Sequence, residues 1–115
     1  MNVAMLLIFG MLLLAAYQLT GGPKLVIYPR IIGVGTEAQL ACRIPRSESN
    51  RKLVLGIEQI TRSERQLEGD RSPSMHLLWV HGIDCSAGAA YCELWNSVRM
   101  VDRVTANFVV AGCEP

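Results

Sequence analysis

The segment Gly35–Cys42 constrains the fold more than any other part of this chain. Its apolar and polar residues alternate after a glycine that can turn the chain, and a period of two is typical of a β-strand with one buried face. Ala38, Leu40 and Cys42 would share that face. We therefore expect a strand that points a cysteine into the core, where close packing or a partner cysteine would accommodate it.

Four cysteines follow the apolar start of the chain: Cys42, Cys85, Cys92 and Cys113. An even number of cysteines in a chain of 115 residues predicts an oxidising compartment and two disulfides, for which three connectivities exist. The spacing of Cys85 and Cys92 is too wide for a C-x-x-C zinc knuckle, and no second close pair of cysteines exists. We expect no metal and no other cofactor.

Residues 1–22 are predicted to be a signal peptide or a membrane anchor. Val3–Tyr17 is apolar throughout, long enough for the hydrophobic region of a signal peptide but shorter than the roughly 18 to 20 residues that cross a bilayer comfortably. Secretion is favoured, and an uncleaved anchor is the alternative. The first basic residues, Lys24 and Arg30, would place an anchored domain in the cytoplasm, whereas the cysteines argue for export. We expect a secreted, periplasmic or extracellular domain, free or membrane-anchored, formed by residues 23–115.

Strand signals recur at roughly ten-residue spacing through this domain. The predicted strands are Lys24–Arg30, Gly35–Ile44, Lys52–Ile57, Leu77–Ile83, Ala90–Trp95 and Thr105–Ala111, with a loop and edge strand in Ile60–Asp70. The last two strands should pair across a turn near Val98–Arg103. The pattern predicts an all-β fold, an antiparallel β-sandwich of about seven strands preceded by an N-terminal hydrophobic helix.

Two segments resemble the cysteine-bearing strands of immunoglobulin domains. Gly35–Cys42 looks like the Gly-x-x-apolar-x-Leu-x-Cys signature that leads into the first core cysteine, and Leu78–Cys92 is similar to the segment that leads to the second. The resemblance covers residues 23–113 and implies an Ig-like sandwich crossed by a Cys42–Cys92 disulfide. The sequence departs from the family at three positions: Leu55 replaces the core tryptophan, Ala90 the corner tyrosine and Ser86 the usual aspartate.

The second cysteine pair is suggested by hairpin geometry. Facing residues of a hairpin have a constant sum of residue numbers, and Cys85 with Cys113 centres on position 99, inside the expected turn. A Cys85–Cys113 bridge would therefore close the base of the last hairpin. The rival pairing, Cys85–Cys92 with Cys42–Cys113, stays open.

The residue patterns do not support catalysis. The chain has no nucleophile elbow, paired-histidine zinc motif, glycine-rich phosphate loop or calcium loop. His76 and His81 are five positions apart, which puts them on opposite faces of a regular strand and not on one metal. The net charge of +1 implies no nucleic-acid partner. We expect a protein that is not an enzyme.

Two functions fit these expectations. In the first, a secreted or surface-anchored binding or adhesion module recognises another protein or a surface ligand through the loops Arg43–Lys52 and Asn96–Arg103 at one end of the sandwich. The candidate binding rim consists of Arg43, Arg46, Arg51, Lys52, Trp95 and Arg99. Trp95 or Arg51 would be its anchor, because tryptophan and arginine dominate interface energetics.

The second function is a structural subunit of an envelope or particle. Such a subunit would assemble through edge strands, and Lys24–Tyr28 is the candidate because its residues are alternately apolar with one charge. The binding module is favoured. Contact with a membrane is expected only through the N-terminal segment, if that segment is not cleaved.

Overall fold

The computed structural model describes residues 21–113, and this part of the chain is all-β. Its strands are β1 (Lys24–Tyr28), β2 (Ile31–Gly33), β3 (Ala38–Arg43), β4 (Lys52–Ile57), β5 (Thr61–Gln66), β6 (Met75–Val80), β7 (Ala90–Trp95), β8 (Met100–Ala106) and β9 (Val109–Ala111). A short 3-10 turn, Gly69–Arg71, lies between β5 and β6. The predicted N-terminal helix lies outside the described residues. Within residues 21–113, no helix is long and apolar enough to cross a membrane.

The strands form sheets of three, four and two members. The three-stranded sheet has the order β1-β3-β6 and the four-stranded sheet the order β5-β4-β7-β8, and every pairing within them is antiparallel. Strands β2 and β9 form the two-stranded sheet and are parallel. The described part has nine strands instead of about seven, because β2 follows the first predicted strand as an additional strand and the last predicted strand is divided between β8 and β9. Strand β1 ends before Pro29, which has no N–H to donate to a ladder.

The core lies between the three-stranded and four-stranded sheets. Ala38, Leu40 and Cys42 of β3 are completely buried, as the alternation in the sequence predicts. Strand β4 contributes Leu53, Leu55 and Ile57 from the facing sheet, and they belong to the same apolar cluster. The Cys42–Cys92 disulfide joins β3 of one sheet to β7 of the other. The two sheets are therefore joined by apolar packing and by a covalent bond.

The hairpin of β7 and β8 has a shorter turn than the sequence suggested. Leu94 pairs with Asp102 and, after a bulge, Trp95 pairs with Met100, so the expected turn at Val98–Arg103 is wrong. The turn is formed by residues 96–99. The Asn96 side-chain oxygen accepts hydrogen bonds from the backbone N–H groups of Val98 and Arg99, both at 2.8 Å, which closes the chain within these four residues.

The second disulfide joins Cys85 to Cys113, which is the pairing that hairpin geometry suggested. Its position differs from that argument. The Ala90–Ala106 pair centres the hairpin on position 98, and both cysteines lie beyond the end of this ladder. Cys85 belongs to the loop between β6 and β7, and Cys113 follows β9. The bridge therefore fastens that loop to the C-terminal end of β9 and does not close the hairpin itself.

Candidate functional site: a basic rim at one end of the sheets

The two loops that carry the rim lie side by side. The backbone N–H of Arg51 donates to the carbonyl oxygen of Trp95 at 2.9 Å, and Lys52 faces Trp95 in the register between β4 and β7. The β3–β4 loop therefore meets the β7–β8 turn at one end of the four-stranded sheet. This contact brings Arg51, Lys52 and Trp95 together.

Trp95 is held in place by its two neighbours on the same face of the sheet. The Lys52 ammonium nitrogen lies 4.2 Å from the centre of the Trp95 ring, a distance typical of a cation–π contact. The indole N–H donates to the Glu93 carboxylate at 3.1 Å. Trp95 is half-buried. It therefore presents a fixed, partly exposed aromatic surface with a cation above it.

Arg51 orders the loop that contains it. Its Nη1 atom donates to the backbone oxygens of Glu48 and Asn50, at 2.5 and 2.8 Å. Asn50 is buried and donates from its side chain to the Pro45 oxygen at 2.9 Å, which fixes the preceding part of the loop. One nitrogen of the Arg51 guanidinium is thus hydrogen-bonded to the loop backbone, and these bonds fix the position of the group.

The remaining rim residues, Arg43, Arg46 and Arg99, are exposed. Arg46 lies in the β3–β4 loop and Arg99 in the β7–β8 turn. Arg43 lies at the end of β3, where it pairs with Lys24 and Met75 on the three-stranded sheet. In the range 21–113, none of these three guanidinium groups forms an ion pair with a carboxylate. The rim therefore carries positive charge that the described residues do not neutralise.

A second polar cluster lies on the outer face of the four-stranded sheet, and the sequence pattern does not predict it. Arg103 contacts Glu58 at 3.1 Å and Glu93 at 3.4 Å, and its guanidinium lies 5.0 Å from the centre of the Tyr91 ring. Burial raises the pKa of the Tyr91 phenol above its ordinary value. These residues line a cleft of about 520 Å³. The expected turn at Val98–Arg103 had placed Arg103 at the end of the hairpin, and only the register of β8 brings it beside these carboxylates.

The two histidines lie in different surroundings. His76 is buried, its Nε2 atom lies 2.8 Å from the Pro73 oxygen, and burial lowers the pKa of its imidazole. His81 is exposed, with its Nδ1 atom 3.0 Å from a Glu37 carboxylate oxygen. In the described part of the chain, no group of three or more histidine, cysteine, aspartate or glutamate residues is arranged to hold a metal ion.

The fold and the rim together define an all-β domain with two disulfides and a basic end that carries an aromatic side chain. No protein-family model matches this chain, and a comparison with curated proteins finds none that is similar to it.

Proposed function

We propose that residues 23–113 form an immunoglobulin-like domain that is exported to an oxidising compartment, either secreted or anchored at a surface. Support comes from the Cys42–Cys92 bridge between the two main sheets and from the strand order within them. The two short strands at the start of the domain also fit, because β1 pairs with β3 and β2 then pairs in parallel with β9 in another sheet. The two disulfides are consistent with an oxidising environment.

The domain acts as a non-catalytic binding module, and its basic rim recognises an acidic group on a protein or a surface ligand. The observation that carries this proposal is the juxtaposition of Trp95 and Lys52 with the exposed cations Arg46 and Arg99 at one end of the sheets. An aromatic ring that is already held in place loses little conformational entropy on binding. Neighbouring cations would accelerate encounter with a negatively charged partner.

Charge reversal at the rim tests the proposal, with poly-L-glutamate as an acidic probe. Arg46→Glu and Arg99→Glu should each weaken binding of the full chain by about tenfold, equivalent to about 1.4 kcal/mol, and lower its salt dependence. The matched control is Arg30→Glu, which changes the net charge equally at an exposed position between β1 and β2. Equal losses in all three variants would mean that overall charge, and not the rim, governs binding.

The structural-subunit alternative makes a different prediction. Strand β1 is at the edge of its sheet, so a proline at Val26 would interfere with any strand added there. A Val26→Pro variant that stays folded and loses association, while both rim variants keep it, would favour assembly through the edge strand over the binding module. Sedimentation of the full chain measures that association.

A further inference from the structure

The outer face of the three-stranded sheet is apolar and uncovered among the described residues. The exposed fractions of its large side chains are 54% for Val26, 76% for Tyr28, 49% for Leu77 and 58% for Trp79. A polar surface would be expected on a strand whose other face is buried in the core. These side chains therefore need an explanation beyond the fold. We name these four residues, with Met75, the outer apolar face.

The register of the strands makes this surface continuous. Val26, Ala41 and Leu77 face one another across β1, β3 and β6, and the row Tyr28, Gln39 and Trp79 lies next to them. Neighbouring strands are about 4.8 Å apart, so side chains in one row are in contact range. Contiguous apolar patches of this kind mark interaction sites more often than scattered apolar residues do.

The charged residues within the rows of this face have one sign. A third row consists of Lys24, Arg43 and Met75 at the end of the sheet that adjoins the rim. None of the nine residues in the three rows is an aspartate or glutamate. Glu37 lies just before β3, at the other end, and contacts His81. The partner of this surface should therefore be apolar over most of its area and negative near Lys24 and Arg43.

A second copy of the chain fits these requirements poorly. Three strands about 4.8 Å apart with five or six residues each give a face of roughly 15 by 17 Å. Stable interfaces bury about 800 Å² on each partner, which is well above that area. Two such faces stacked with the same ends together would also bring lysine and arginine together, without a carboxylate in the three rows of either face to pair with them. Size and charge both argue against a face-to-face dimer.

An anionic lipid surface is apolar in its interior and negative at its headgroups, so it fits the apolar rows of this face and its cationic end. Tryptophan and tyrosine favour the boundary between lipid headgroups and acyl chains, because their rings are apolar with one polar end. Each lysine or arginine near anionic headgroups adds about 1 kcal/mol of attraction. A face that combines aromatic side chains with a cationic edge is therefore expected to bind at such a boundary.

The position of the apolar N-terminal segment also favours a lipid surface as the partner of this face. Val3–Tyr17 ends shortly before Lys24, the first residue of β1, and an extended chain between Tyr17 and Lys24 reaches at most about 25 Å. Strand β1 is itself part of the face. A membrane that holds Val3–Tyr17 would therefore lie within reach of the same sheet.

We propose that the outer apolar face of the three-stranded sheet lies against an anionic membrane. Tyr28 and Trp79 sit at headgroup depth, and Lys24 and Arg43 contact the headgroups. This leaves the four-stranded sheet and the loops beyond it directed away from the lipid. The inference goes beyond the proposed function, because the residues that carry that function, Trp95 and Lys52 with Arg46 and Arg99, lie outside the three rows of this face. Arg43 is the one residue of the rim that belongs to the face.

The two tryptophans of the chain provide the test, since Trp79 lies on the outer apolar face and Trp95 on the outer side of the other sheet. Full chain with Trp95→Phe reports on Trp79 alone, and full chain with Trp79→Phe reports on Trp95. Both are mixed with vesicles that contain phosphatidylglycerol and brominated lipid. We expect Trp79 emission to shift to the blue and to be quenched, and Trp95 emission to change little. Equal quenching of the two overturns the proposal.

A charge on the face should release it from the lipid. In the single-Trp79 chain, Leu77→Glu should abolish most of the quenching, whereas the control Val109→Glu places the same charge at an exposed valine of β9 and should leave it unchanged. Quenching should also fall in vesicles of neutral lipid alone, where Lys24 and Arg43 lose their attraction. Unchanged quenching in the Leu77 variant overturns the proposal. So does a blue shift of Trp79 that grows with protein concentration without lipid, which would assign the face to a second copy.

Discussion

Gly56 lies where β5 passes too close to β4 for a side chain. A Cβ atom at this position would be 2.2 Å from the Thr61 carbonyl oxygen and 3.1 Å from the Arg62 Cα atom. Both are backbone atoms, so the strand itself would have to move. The absence of a side chain at Gly56 is therefore a requirement of the β4–β5 pairing.

Gly56→Ala should lower the free energy of unfolding by about 1 to 3 kcal/mol, the usual cost of overpacking. Urea denaturation measures the change. The matched control is Gly33→Ala in β2, where the new Cβ would lie 3.4 Å from the Thr36 methyl carbon and make an ordinary contact. Midpoints that move equally in both variants would contradict the steric explanation.

His76 should make the stability depend on pH near neutrality. Burial lowers the pKa of its imidazole, the Pro73 oxygen opposes that shift, and the nearby Arg65 charge adds to it. Below the ordinary pKa of about 6.5 the unfolded chain therefore binds a proton that the folded chain does not. It follows that the free energy of unfolding rises with pH up to about 6.5 and falls as the solution becomes more acidic.

Replacing the imidazole removes this effect. We expect His76→Gln to flatten the stability profile between about pH 5 and 7, while Met75→Gln, an exposed neighbour on β6, keeps the parental slope. Urea midpoints measured across this range test the expectation. The same slope in parent and His76 variant would show that other groups cause it.

At the scale of the strands, Arg65 connects two sheets. It lies on β5, the edge of the four-stranded sheet, and its guanidinium donates a hydrogen bond to the carbonyl oxygen of Leu77 on β6, the edge of the three-stranded sheet. Arg62, on the same strand, instead pairs with Glu64 two residues away. Substitutions of these two arginines therefore compare a contact between the sheets, made by Arg65, with a contact within one strand, made by Arg62.

Arg65→Met should cost about 1 kcal/mol of stability and speed hydrogen exchange in β6, because a charge-assisted hydrogen bond between the sheets is lost while the aliphatic stem is kept. Arg62→Met should cost less, since an exposed ion pair contributes little. Native-state hydrogen exchange followed by mass spectrometry compares them. Faster exchange of β6 in both variants would contradict the role given to Arg65.

The central strands could be predicted from the sequence because their buried positions carry apolar side chains, which produces a visible hydrophobic pattern. The bounds of β4 and β7 are those that the hydrophobic runs predicted, and the alternation that leads into Cys42 gives the buried face of β3. The start of β8 could not be found in this way. Its residues Met100–Arg103 are exposed, so no buried face marks them, and the turn depends on the side-chain hydrogen bonds of Asn96.

At the scale of the whole molecule, the features that could not be predicted from the sequence depend on pairings between distant residues. The adjacency of Arg51, Lys52 and Trp95 could be predicted, because the expected sandwich places their two loops at the same end. The cluster around Arg103 and the outer apolar face could not, since both depend on strand registers that single strands do not encode. Gln59 shows the same limit locally. It has a φ of 71°, although glutamine gives no turn signal.

The two disulfides should differ in accessibility more than in the chain entropy that they remove. Their sequence separations of 50 and 28 correspond to about 4.1 and about 3.6 kcal/mol in the loop-entropy model, which is a small difference. Burial separates them clearly: Cys42 and Cys92 are completely buried, whereas Cys85 is exposed and Cys113 half-buried. A thiolate reductant must reach the sulfur that it attacks.

We therefore expect reduction of the folded protein to proceed in two stages. Cys85–Cys113 should open first and leave a folded species with two free thiols, because that bridge ties a surface loop to the end of β9. Cys42–Cys92 should open only when the sheets separate, so its rate should rise with urea, while the rate of the first stage should change little. Timed alkylation with peptide mapping measures both rates. Simultaneous release of all four thiols would mean that the Cys85–Cys113 bridge holds the two main sheets together.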